Sequence, residues 1–93
     1  MENELASIFK ALGDKNRLKL FERIVKGETC GCTLINKVDV SQPTMTYHIN
    51  ILEKAGLIIS KKEGTWRKLF VKKDVLVLIS NYIQELEKSG GNN

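Results

Sequence analysis

One proline, one histidine, one tryptophan and two cysteines occur in 93 residues, and each scarcity removes a class of explanation. With His48 as the sole histidine and Cys30 and Cys32 as the sole thiols, no nucleophile, base and orienting group can be assembled, so an enzyme is not expected. A thiol oxidoreductase would show another cysteine spacing and a βαβ setting, and both are missing. Two cysteines one residue apart are badly placed to staple a fold, and a reducing compartment is expected to keep them as thiols. No apolar run is long enough to cross a bilayer. The acidic start Met1-Glu2-Asn3-Glu4 lacks the basic opening of a secretory signal, so the expectation is a cytoplasmic protein with no membrane partner.

What is present suits one compact unit: 42% of residues are hydrophobic and 28% charged. A single domain over residues 1–88 is expected, with the polar stretch 89–93 as a disordered tail. In so small a chain, apolar stripes left over after the core is filled suggest a second copy. The net charge is +4, and Lys61, Lys62, Arg67, Lys68, Lys72 and Lys73 lie within one short window that contains a single acid, Glu63. That local positive patch points to a polyanionic partner. No obligatory cofactor is implied.

Hydrophobic spacing divides the chain into helices and a hairpin. Leu5, Ile8, Phe9 and Leu12 predict a helix over 3–12, ended by Gly13-Asp14. Leu18, Phe21, Ile24 and Val25 predict a second over 15–26, closed by Gly27. Leu34, Ile35 and Val38 mark a short third over 30–37. Ser41 as a cap and Pro43 in the first turn open a fourth over 42–55, with Met45, Ile49 and Leu52 inward and Gly56 ending it. Residues 57–59 and 66–71 read as two strands around Glu63-Gly64, with Trp66 as a packing residue. Asp74 caps a last helix whose apolar arc is Val75, Leu76, Ile79, Tyr82, Ile83 and Leu86. The order ααααββα, mainly helical with a small hairpin, is that of a winged helix-turn-helix.

In that arrangement the fourth helix is the one that enters a DNA major groove. Ser41, Gln42, Thr44, Met45, Tyr47 and His48 are its candidate contacts, with Gln42, Thr44, Tyr47 and His48 expected outward and Met45 inward. Glutamine can bond an adenine edge, and threonine can donate to a base or touch a thymine methyl. Lys61, Lys62, Arg67 and Lys68 on the hairpin supply phosphate contacts, so base and backbone recognition are divided between two elements. Two alternatives stay open: an ordinary solvated helix, and a protein-interaction module whose basic patch docks on an acidic partner.

Ala11-Leu12-Gly13-Asp14, Asn16-Arg17-Leu18, Ser41-Gln42-Pro43-Thr44-Met45-Thr46-Tyr47-His48 and Leu52-Glu53-Lys54-Ala55-Gly56-Leu57 resemble the ArsR/SmtB family of bacterial repressors over nearly the whole chain. The resemblance implies a homodimer through the first and last helices, bound to double-stranded DNA at an imperfect inverted repeat and released by an effector. Glu28-Thr29-Cys30-Gly31-Cys32-Thr33-Leu34 resembles the family's thiol metal-binding box, which makes arsenite or another thiophilic metal ion the expected effector at Cys30 and Cys32. A helix N-terminus favours thiolate, and thiolates select soft ions. Arsenite-sensing relatives often carry a third cysteine where this chain has Ile35, which leaves the third ligand to a small thiol, a hydroxide or nothing. The pair is alternatively a redox switch, or two small semi-buried residues with no ligand.

Overall fold

A computed structural model describes residues 2–90, the side chains of Asn36 and Trp66 excepted; the packing role expected of Trp66 therefore lies outside the described residues. The elements are α1 (Glu2–Leu12), α2 (Lys15–Val25), α3 (Gly31–Lys37), α4 (Gln42–Lys54), β1 (Ile58–Glu63), β2 (Trp66–Val71) and α5 (Lys73–Gly90). This is the ααααββα order, and the helical boundaries expected from spacing fall within a residue or two at most ends.

α2 and α4 are each started by a polar side chain where the first-turn amides need acceptors. Asp14 Oδ1 accepts from the backbone N–H groups of Asn16 and Arg17 at 2.8 and 3.1 Å, which fixes the start of α2. Ser41 Oγ accepts from the Thr44 N–H at 3.4 Å, and Pro43 occupies the first turn of α4. Gly56, with φ of +80°, lets the chain leave α4 while the Leu57 N–H returns to the Leu52 carbonyl at 3.0 Å.

The rotation of α2 differs from the sequence expectation. Leu20, Phe21 and Ile24 are buried, whereas Leu18 is 50% and Val25 42% exposed. Arg17 explains the change: its Nε donates to the Ala11 carbonyl at 2.6 Å, which turns the row 17, 20, 21 and 24 inward. Leu18 and Val25 then sit one residue off that row, at its edge.

β1 and β2 form one antiparallel hairpin in the register Ile58↔Val71, Ile59↔Phe70, Ser60↔Leu69, Lys61↔Lys68, Lys62↔Arg67 and Glu63↔Trp66. β1 extends well beyond the short apolar run at 57–59, because its outer half is polar and exposed and is identified only by its partner strand. Gly64, with φ of +63°, is the first of two turn residues, as a tight type II′ connection requires. Ile58, Leu69 and Leu57 face the helices and complete a core built on Ile8, Leu20, Leu34, Val38 and Leu52.

Helix α5 starts at Lys73, so Asp74 lies inside its first turn rather than at its cap. An acidic side chain there favours the positive end of the helix. The helix runs through Ser89 and Gly90, two residues into the expected polar tail; the rest of that tail, 91–93, lies outside the described residues. Val75 is the buried residue of α5, with Leu76, Leu78 and Ile79 partly covered, while Val77, Ile83 and Leu86 are about half exposed.

Candidate nucleic-acid interface

α3 and α4 are joined by the tight segment Val38-Asp39-Val40-Ser41. Val38 is fully buried, and the Val40 N–H bonds the Val38 carbonyl at 2.8 Å. This makes the pair a helix-turn-helix with a firm corner. Met45, His48, Ile49 and Leu52 form the inward face of α4. Its exposed row is Gln42, Pro43, Thr46, Tyr47, Asn50 and Lys54.

Several expected positions shift accordingly. Gln42 and Tyr47 are outward, as the spacing predicts. Thr44 is half-buried and committed to the cap, its hydroxyl oxygen accepting from Ser41 Oγ at 3.0 Å. Met45 is 3% exposed, which removes it from direct contact with any partner. His48 is a correction: expected outward, it is 5% exposed, with Nδ1 3.3 Å from a guanidinium nitrogen of Arg17. Its neighbours 45, 49 and 52 are inward, and a helical row at three- and four-residue steps carries 48 with them. The same periodicity would have found Thr46 and Asn50, which sequence reasoning missed, as the outward complement.

Arg17 and Asp14 brace this corner. The backbone N–H of Arg17 holds the Asp14 carboxyl below its ordinary value, against a smaller opposing effect of burial; the Asn16 N–H and the charge of Arg17 act in the same lowering direction.

The hairpin cations are split between two faces, because directly opposite residues share a face and successive ones alternate. Lys62 and Arg67 share the face of Ile58 and Leu69, and Arg67 reaches Asn50 Oδ1 on α4 at 3.0 Å. Lys61 and Lys68 share the other face with Ile59 and Phe70, where the Lys61 ammonium sits 5.8 Å from the Phe70 ring centre. Both cationic pairs place like charges directly opposite, an arrangement that destabilises a hairpin unless anions answer it. Within the chain, Glu53 lies 3.9 Å from Arg67 in a partly buried pair and Glu63 3.7 Å from Lys68 in an exposed one, and both pairings are long and weak. The wing therefore retains cationic capacity for an external polyanion.

Cys30 and Cys32 are joined by a disulfide, contrary to the expectation of free thiols. Cys30 is extended at the cap of α3 and Cys32 lies in its first turn, so the backbone brings their Cα atoms to 5.2 Å, a separation that a disulfide spans. Cys30 Sγ also accepts from the Cys32 N–H at 3.2 Å. The segment pairs with the wing: Cys30 bridges Lys68, and the Leu69 N–H donates to the Thr29 carbonyl at 2.7 Å. Among the described residues no three His, Cys, Asp or Glu side chains converge. No described helix is long and apolar enough to cross a membrane.

Comparison with known proteins gives a consistent set of likenesses. The profile described as "Bacterial regulatory protein, arsR family" matches residues 14–60. An uncharacterized HTH-type transcriptional regulator of Methanocaldococcus jannaschii is 39% identical over 82 residues, covering 87% of this chain and 92% of the relative. The arsenical resistance operon repressor of Bacillus subtilis is 42% identical over 59 residues, 62% of this chain and 56% of the relative, so the match spans little more than half of that protein. Among solved structures, an ArsR family transcriptional regulator superposes with a TM-score of 0.89 at 25% identity, covering 100% of this chain and 96% of that one. The homodimeric winged helix-turn-helix DNA-binding domain of a possible ArsR-family regulator from Mycobacterium bovis gives 0.71 at 21% identity, covering 92% and 84%.

Proposed function

Because this chain belongs to the ArsR family of bacterial regulatory proteins, we propose that it is a homodimeric DNA-binding repressor, not an enzyme, whose operator affinity responds to thiol-directed chemistry at Cys30 and Cys32. The DNA half rests on one arrangement: the exposed polar row of α4 beside a wing whose cations lack sufficient partners. Gln42, Thr46 and Tyr47 meet base edges, and Lys61, Lys62, Arg67 and Lys68 meet phosphates.

Dimerisation is supported by the apolar surface that α1 and α5 share. Phe9 is 40% exposed with its ring 6.0 Å from that of Tyr82, and Val77, Ile83 and Leu86 extend the same apolar character along α5. A second copy covers it in this reading, and the similar Mycobacterium bovis domain is homodimeric. Two reading helices about one DNA turn apart, roughly 34 to 36 Å, then select an imperfect inverted repeat.

The effector half is supported by the position of Cys30, which is at once the cap of α3 and a backbone partner of Lys68. Arsenite exchanges two of its hydroxides for the sulfurs of the reduced pair, the thiol protons leaving with them as two waters, which withdraws the sulfur cap and pulls on β2, so the signal reaches the recognition helix from beneath and the wing from its edge. Affinity falls provided that the DNA-competent conformation binds the arsenical less well. A second reading is favoured by the disulfide itself. Here hydrogen peroxide oxidises the two thiols, a sulfur–sulfur bond forms, and the two protons and two electrons leave in two waters.

Fluorescence anisotropy of the reduced protein on its own upstream DNA tests the reading, with arsenite and hydrogen peroxide titrated separately. Release by arsenite that is lost in Cys30→Ser/Cys32→Ser supports the metalloid sensor, and release by peroxide alone supports the redox reading. Specific binding that neither reagent alters retains the repressor and discards both effectors.

A further inference from the structure

The Arg67 guanidinium donates to Asn50 Oδ1 at 3.0 Å. Arginine carries no acceptor, so only the oxygen of the Asn50 amide can face it. The amide is thereby held one way round, with its Nδ2 hydrogens directed elsewhere.

Arg67 is itself flanked by an acid. Glu53 Oε1 lies 3.9 Å from it, and Glu53 Oε2 accepts from the Ser60 N–H at 3.2 Å and the Ser60 hydroxyl at 2.7 Å. A line of contacts thus runs from β1 through Glu53 and Arg67 to Asn50 on the exposed row of α4. Asn50 follows Tyr47 by three residues and Thr46 by four, which puts it on the same side of the helix as both.

We propose that Asn50 is a base-reading residue and that Arg67 is the positioning residue that sets what it reads. This rests on α4 lying in a major groove. A free asparagine recognises adenine by accepting from N6 and donating to N7 at once. Arg67 takes one of the two Oδ1 lone pairs and fixes which way the amide faces, so Asn50 presents its Nδ2 donors ahead of its oxygen. It favours edges that offer only acceptors at the contacted atoms, guanine N7 and O6 or thymine O4, and disfavours cytosine, whose N4 is itself a donor.

Selection of duplexes from a randomised pool by the full chain and its variants tests this. The wild type is expected to show one position in each half-site that prefers guanine or thymine. Asn50→Ala should reduce discrimination at that position by about tenfold while leaving the others intact. Asn50→Asp keeps the Arg67 partner and replaces donor by acceptor, so it should bind more weakly overall and move the preference towards cytosine. Arg67→Ala frees the amide and should admit adenine at the same position. Uniform weakening in Asn50→Ala, with every base preference unchanged, assigns Asn50 to the phosphate backbone and overturns the proposal. A wild type that selects no sequence overturns the DNA reading itself and this inference with it.

Discussion

Arg17 and His48 meet at 3.3 Å between a guanidinium nitrogen and the imidazole Nδ1, while Arg17 Nε holds the Ala11 carbonyl. Since arginine only donates, Nδ1 accepts and the ring proton resides on Nε2. One side chain therefore ties the end of α1, the start of α2 and the middle of α4.

Arg17→Ala should lower stability by about 1–3 kcal/mol, because it leaves the partly buried acceptors on Ala11 and His48 unsatisfied. Arg17→Lys should recover little of this, as an ammonium keeps the charge without the planar fork that serves two acceptors in fixed directions. Urea unfolding followed by circular dichroism measures both. Full rescue by lysine would mean that charge, not geometry, holds the corner.

Asp14 gives the protein an acid-sensitive contribution. Its folded-state pKa is depressed, chiefly by the Arg17 N–H, so the added stability is present above the ordinary aspartate range and is lost as pH falls through the depressed value. Asp14→Ala should cost about 1 kcal/mol at neutral pH. Asp14→Asn caps α2 without titrating, so the stability difference between it and the wild type should shrink only on acidification. A difference that is flat across that range would show that the cap is indifferent to charge.

Removing a wing cation should change salt dependence and leave sequence preference alone. For Lys61→Ala or Lys68→Ala, the slope of log affinity against log salt should fall in magnitude by roughly 0.9 per lost phosphate contact, hence by about two when both subunits carry the change. Anisotropy at several salt concentrations reads the slope. An unchanged slope would place that lysine off the DNA.

Val77→Glu or Leu86→Glu buries a charge if the exposed face of α5 is covered by a second copy, and a buried unpaired charge is strongly unfavourable. Sedimentation equilibrium should show monomers, with the helical signal retained and operator affinity reduced. Dimers of undiminished stability would move the interface elsewhere.

The helices were legible because their signals are local. Apolar residues at steps of three and four, Ser41 and Pro43 before α4, and Gly56 after it each act within a turn. What was illegible depended on rotation and pairing. Leu18 lost its place in the core to Leu20 because Arg17 turns α2, and that is decided by the Ala11 carbonyl on another helix. His48 is expected outward among the contacts of α4, whereas its row and its Arg17 partner put it inside. The division of the wing cations between two faces follows from strand alternation once the register is known, and the outer half of β1 is too polar to announce itself as a strand. The Cys30–Cys32 bond depends on the extended backbone at the α3 cap, which residue spacing does not specify.

The sulfur cap of α3 also bears on how evenly the protein holds together. α3 has seven residues, begins with Gly31, and rests its first turn on a disulfide sulfur, an acceptor weaker than the oxygens of Asp14 and Ser41. Short helices with weak caps open first. Amide exchange should accordingly be fastest at the start of α3, with α4 protected longer, so the helix that contacts DNA is supported by the segment of the motif that yields most readily.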